Sequence, residues 1–140
     1  MSSVAVELAQ RLCDAMNSHD VERLKVAYCD DVENSDPTQV LNGIDAVLAY
    51  WQGLWTAFKD LSFVVGPGCV GDEKARANEW IARGTHTGPL TMPDGSAIPG
   101  SGRVIELKGM SYFELRDGKV HRQRDYFDVA SQMTQLGLVG

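Results

Sequence analysis

The chain has 140 residues, 44% of them hydrophobic and 23% charged, with a formal net charge of -6. That length fits a single domain, residues 1–140, able to bury roughly two thirds of its unfolded surface, and the acidic balance repels phosphate backbones, so nucleic acid is not an expected partner. No apolar run approaches the roughly 18 residues needed to cross a bilayer, and the opening Met1-Ser2-Ser3-Val4 lacks the basic stretch and apolar core of a secretory signal; a soluble, cytoplasmic protein without membrane association is expected.

Val4, Leu8, Leu12 and Met16 fall at helical spacing after Ser3, a suitable N-cap, and predict a helix that ends at Met16 and leaves through Asn17-Ser18-His19-Asp20. Asp20 is placed to cap a second short helix through Tyr28, with Val21, Leu24 and Tyr28 turned inward; a polar strand or loop follows from Asp30 to Ser35. Asn42 is a good N-cap for the next element, and Asp45 would sit in its first turn, where the helix dipole favours an anion. Ile44, Val47, Leu48, Trp51, Leu54, Trp55 and Phe58 form the broad apolar stripe of a long amphipathic helix. From Leu61-Phe63-Val65 the period changes to two, and strands are expected at about 61–70, 75–87, 103–116 and 119–128, the last two joined by the hairpin signal Asp117-Gly118. Gly84 to Gly102 reads as a strand end followed by a long loop of the kind that serves as a lid. A final short helix from Val129 to Leu136 stops at Gly137. With no repeat or linker, this order gives an α+β domain, three helices packed on a curved, mostly antiparallel sheet. Cys13, Cys29 and Cys69 are odd in number and widely spaced, which favours reduced thiols.

The stretch Asp117-Gly118-Lys119-Val120-His121-Arg122-Gln123-Arg124-Asp125-Tyr126-Phe127-Asp128, followed by Gln132, Gln135, Leu136 and Gly137, resembles the end of the SnoaL-like polyketide cyclases, and Arg83-Gly84-Thr85-His86-Thr87-Gly88 resembles their mid-chain signature. The resemblance implies the cone-shaped α+β barrel of the nuclear-transport-factor-2-like superfamily, which also holds limonene-epoxide-hydrolase-like enzymes, ketosteroid isomerases and binding modules. It implies that Asp125 is a catalytic acid/base and Asn34 a polar pocket residue. Ser111 stands where the cyclases carry a pocket His, and Glu79-Trp80-Ile81 where the epoxide hydrolases carry Arg-x-Asp. Asp36-Pro37 resembles the acid-proline pair of the isomerases, whose oxyanion residues fall on Leu12 and Gly109 here.

The residues themselves support part of this. Strict alternation puts His121, Gln123, Asp125 and Phe127 on one strand face, and Phe127 marks that face as the inner one. Against Trp51, Leu54, Phe58 and Leu107 the Asp125 carboxyl would be desolvated and its pKa raised, as a general base requires; the alternative is a structural ion pair with Arg83, Arg122 or Arg124. His86 and His121 are either acid/base partners of Asp125 or satisfied structural groups. Asp128 caps the last helix or faces the other side of the sheet. Glu79, Ile81 and Arg83 alternate onto one face, placed inward by the resemblance, where Arg83 would orient an anionic enolate or pair with Glu79. Trp51, Trp55, Phe58, Phe63 and Phe113 are core first and ligand wall second.

The expected catalytic set is therefore Asp125, Asn34, Ser111 and His86, and the expected substrate-binding set Met16, Trp51, Leu54, Phe58, Ile81, Arg83, Leu107, Gln123 and Phe127. Three scattered histidines with no His-x-x-x-His spacing suggest neither a metal nor another cofactor. The leading expectation is cofactor-independent ring closure of a hydrophobic carbonyl compound. Its rivals are epoxide hydrolysis, with Glu79 or Asp36 as a second acid, and non-catalytic binding of a hydrophobic ligand in the same pocket. Trp80, Tyr112 and Tyr126 alternate onto the outer sheet face, from which a homodimer is expected.

Overall fold

The computed structural model describes residues 4–139. Helix α1 (Val4–Asn17) buries Ala5, Ala9, Leu12 and Cys13 along one face; the Ser3 cap expected for it lies outside the described residues. Its exit is tied to the sheet by the Asn17 amide, which donates to the Phe63 carbonyl at 2.9 Å and accepts from the Phe63 N–H at 2.7 Å, imitating a strand partner. Helix α2 (Val21–Lys25) starts where Asp20 accepts from the Glu22 and Arg23 amides. It stops at Lys25, short of Tyr28, which instead opens strand β1 (Tyr28–Asp36). The reason is tertiary. Tyr28, Val32 and Asn34 are all buried, and the Tyr28 hydroxyl bonds to Gln123, 95 residues away, which needs extended chain beside the strand that carries Gln123.

Strand β2 (Gln39–Asn42), which the periodicity did not announce, folds back on β1. Asn42 pairs with Glu33 as the last residue of β2, so helix α3 (Ile44–Ala57) is capped by Gly43, not by Asn42. Gly43 has φ 88, a conformation glycine takes without strain. Strands β3 (Ser62–Gly71) and β4 (Ala75–Thr85) lie close to their expected limits. The long loop after them contains a small hairpin, β5 (Leu90–Thr91) and β6 (Ala97–Ile98). Strands β7 (Val104–Arg116) and β8 (Lys119–Phe127) are joined at Asp117 (φ 54) and Gly118 (φ 78), two successive left-handed residues as a two-residue hairpin turn demands. Helix α4 (Val129–Gln135) begins at Asp128, whose carboxylate accepts from the Ser131 amide at 3.0 Å, so capping is the role Asp128 takes. The four helices stand where the periodicity and caps place them.

The six-stranded sheet runs β2-β1-β8-β7-β4-β3, antiparallel throughout except for the parallel β1/β8 pair. It curves around α1 and α3 as a cone-shaped α+β barrel. The main core gathers Leu24, Val32, Val47, Trp51, Phe113 and Val120, and a second cluster of Ala57, Phe58, Leu90, Ile105 and Leu136 closes the end under α4. One irregularity matters for the site. Val120 pairs with Leu115 and Arg122 with Glu114, leaving His121 as an extra residue in β8. Val120 and Gln123 are therefore both buried, and His121 is displaced toward Glu114, 3.9 Å away, instead of sharing the inner face with Asp125.

Candidate active site

Between the concave face of the sheet and helices α1 and α3 lies a cavity of about 1040 Å³, counted out to its solvent-open mouth. Strand register sorts its sheet-side residues into rows. The deepest row runs from Asn34 on β1 through Gln123 on β8 and Phe113 on β7 to Arg76 on β4. Asp125, Ser111 and Asn78 form the next row, and Phe127, Gly109 and Trp80 the one after it. The deepest row is almost wholly buried, as are Ser111 and Asn78, so the polar groups concentrate at the closed end. Met16, Tyr50, Trp51, Leu54 and Phe58 supply the helical wall.

Asp125 is held by two donors that both address Oδ1. The Ser111 hydroxyl donates at 2.5 Å and Gln123 Nε2 at 2.8 Å. Each donor is itself oriented. Trp80 Nε1 donates to Ser111 Oγ at 2.8 Å, which directs the one Ser111 proton to Asp125; the Tyr28 hydroxyl donates to Gln123 Oε1 at 3.0 Å, which turns the amide nitrogen toward the carboxyl. Oδ2 receives no donor from the described residues and is the oxygen left for the cavity. Burial pushes the Asp125 pKa up to about 6; the Ser111 and Gln123 hydrogen bonds oppose the shift and the Asp36 charge reinforces it. A carboxylate of that basicity exchanges protons efficiently near neutral pH.

The ion-pair alternative for Asp125 is not what forms. Arg83 is 3.3 Å from Glu106, and Arg122 reaches Glu114 at 3.4 Å and Glu33 at 3.8 Å. Arg124 pairs across the sheet with Tyr112, whose phenol it influences on the outer side.

Asp125, Asn34, Ser111, Met16, Trp51, Leu54, Phe58, Leu107, Gln123 and Phe127 all line the one cavity. Asn34 is 4% exposed, and its side-chain amide has no partner among the described residues, so it is free to bond a ligand. Ile81 and His86 lie outside the cavity, and Arg83 stands at its rim. Ile81 faces outward with Glu79, because the inner residues of β4 are Arg76, Asn78, Trp80 and Ala82, the opposite parity to that expected. Arg83 shares that outward parity; its side chain is 63% exposed at the cavity rim and pairs with Glu106, not Glu79. His86 is fully buried outside the cavity, with Nδ1 at 3.1 Å from Ser101 Oγ and its ring against Phe58. Its main chain bonds Arg103 and Gly102, so it pegs the ends of the 86–102 loop together and does not reach Asp125. Asp36 accepts from Thr38 and Gln39 in its own turn and stays out of the lining.

Trp80 is also corrected. It leaves the outer face and enters the cavity, where its ring meets Phe63 at 5.6 Å and Phe127 at 6.3 Å. Gly109 makes this possible, since a Cβ there would lie 2.2 Å from the indole. Tyr28, Tyr50, Arg76 and Asn78 are further site residues that the sequence reading missed. A signal existed: Arg76, Asn78 and Trp80 alternate with Ala75, Ala77 and Glu79, so the larger polar and aromatic side chains share one strand face. Among the described residues no group of three His, Cys, Asp or Glu side chains is placed to hold a metal, and no helix is long and apolar enough to cross a membrane.

The family model of the SnoaL-like polyketide cyclases matches residues 6–136. No curated protein matches the chain. Among solved structures, TsrD of Streptomyces laurentii superposes with a TM-score of 0.81 at 23% identity, over 99% of both chains. A protein of Jannaschia sp. CCS1 assigned to the SnoaL-like polyketide cyclases gives a TM-score of 0.81 at 21% identity, over 100% of this chain and 98% of that one. A limonene-epoxide-hydrolase-like epoxide hydrolase of M. tuberculosis gives 0.67 at 19% identity, over 94% and 88%. At these identities the structural likeness shows the fold alone.

Proposed function

Because this chain belongs to the SnoaL-like polyketide cyclase family, we propose that it closes a ring in a hydrophobic polycarbonyl compound by cofactor-independent aldol chemistry. Asp125 Oδ2 removes a proton from a carbon beside a carbonyl, and the electron pair of that C–H bond becomes the enolate. The Asn34 amide and the Tyr50 hydroxyl, both on the cavity wall, are the donors suited to its oxygen. The enolate carbon then attacks a second carbonyl of the same molecule, and the alkoxide formed takes the proton back from Asp125, so the step balances without a co-reactant. The aromatic wall of Trp51, Trp80 and Phe127 suits a flat, apolar substrate.

The observation that carries this reading is a lone cavity carboxyl with a pKa of about 6, its donors gathered on one oxygen. Epoxide hydrolysis of the kind found in this superfamily divides its work between two acids. Among the described residues Asp125 is the only acid lining the cavity. Ring closure needs one base and ranks first for that reason.

The test is turnover of a panel of enolisable diketones and of epoxides by the parent and by Asp125→Asn. Conversion of a diketone by the parent, lost in the variant, is expected. Hydrolysis of epoxides without any carbonyl turnover reverses the ranking, and tight ligand binding with no turnover of either class supports a binding module.

A further inference from the structure

The mechanism leaves one charged group unused. Arg76 is 3% exposed at the closed end of the cavity, and a guanidinium that deep is normally matched by a carboxylate. Among the described residues none pairs with it. Its hydrogen-bond and ring contacts are the Asn78 amide oxygen, 3.5 Å from Nε, and the face of Phe113, 4.1 Å below the guanidinium carbon, with the Tyr28 phenol and the Cys69 thiol within electrostatic reach. The ring attracts the cation but accepts no conventional N–H hydrogen bond, and Nη2 is buried with no acceptor at all. Burial lowers the Arg76 pKa to about 10, so the group is still charged at neutral pH.

We propose that Arg76 holds a carboxylate at the end of the substrate remote from the reacting carbon. Strand geometry sets the remoteness. Asp125 and Arg76 are two strands and one row apart, which places their Cα atoms about 12 Å from each other. With the guanidinium lying over Phe113 and the Asp125 carboxyl tied to Ser111 and Gln123, we take the anion at Arg76 to be a group other than the enolate that Asp125 creates. A flat guanidinium with unused N–H groups matches the two oxygens of a carboxylate. A phosphate, with up to two charges, would meet a single cation inside a protein of net charge -6, so the monoanion fits better. The substrate class this defines is an apolar polycarbonyl acid that enters carboxylate first. The inference rests on reading the cavity as the substrate site, but not on turnover.

The experiment is calorimetric titration of 2-naphthoate and 2-naphthamide, which share one ring system, into the parent, Arg76→Met and Arg76→Lys. The parent should bind the acid about tenfold or more tighter than the amide, as charge-assisted hydrogen bonding predicts. Arg76→Met should abolish that preference while leaving amide affinity within about threefold, and Arg76→Lys should keep part of it by retaining the charge. Equal affinity of the parent for both probes overturns the proposal, whether or not the Met variant folds. An unchanged preference in a folded Arg76→Met protein overturns it too. Asp125→Asn should keep or strengthen the preference for the acid, so loss of catalysis and loss of carboxylate recognition are separable results.

Discussion

Asp125→Asn removes a charge from the cavity while keeping the side chain's shape and the Oδ1 acceptor that Ser111 and Gln123 address. Burial moves the Asp125 pKa from 3.8 to about 6, and at about 1.4 kcal/mol per pH unit the ionised carboxylate destabilises the native state by roughly 3 kcal/mol. The sign follows from proton binding. Between pH 3.8 and about 6 the native protein holds a proton that the unfolded chain has lost, so this group lowers stability as pH rises through that window, and the full penalty is present above pH 6. The Asn variant, with nothing to ionise, should be more stable than the parent at pH 8 by about 1–3 kcal/mol. That is several degrees in Tm for a chain of this size. The gap should narrow through pH 6 and close near pH 4. Turnover should move the other way, falling about 10²–10⁴-fold, while the parent's kcat/KM should rise with an apparent pKa of about 6. Denaturation at pH 4, 6 and 8 beside initial-rate kinetics checks both limbs. A variant as active as the parent, or a stability difference that ignores pH, would refute the reasoning.

Ser111→Ala removes the donor to Asp125 and the acceptor of the Trp80 N–H; the acid limb of the pH–rate profile should shift to higher pH, and denaturation should show a loss of about 1–3 kcal/mol from the unpaired indole. Gly109→Ala puts a methyl 2.2 Å from the Trp80 ring, so near-UV circular dichroism should change as the indole moves, with about 1–3 kcal/mol lost. Asp128→Ala takes the N-cap from α4 and should lower stability by about 0.5–2 kcal/mol without altering naphthoate affinity by titration. Met110 and Tyr126, 45% and 57% exposed, are cross-strand partners on the outer sheet face; sedimentation velocity at micromolar concentration should give a homodimer through that face, and a monomer alone would count against it.

Local pattern and short-range chemistry were enough to locate most of the fold. The apolar stripe from Ile44 to Phe58 has one compatible period, Asp20 and Asp128 can satisfy helix amides from their own sequence neighbourhoods, and Asp117-Gly118 carries the backbone freedom its turn needs. Asp125 was legible because its strand alternates cleanly from Gln123 to Phe127 and the family resemblance marks it. What failed depended on partners distant in sequence. Tyr28 joins a strand because its hydroxyl must meet Gln123, and His121 leaves the inner face because β8 carries one residue more than β7 at the bulge. The parity of β4 was misread because the resemblance placed Glu79, Ile81 and Arg83 inward, and alternation alone does not say which face is inside. Only the sheet decided it: Gly109 leaves room for Trp80 across the register, Trp80 orients Ser111, and the same parity carries Arg76 into the closed end of the cavity. The sequence by itself determined which residue types were available, the fold family and the carboxyl that faces the cavity from β8; pairing across the sheet determined which other side chains share that cavity, because a one-residue choice of strand face moves every one of them together.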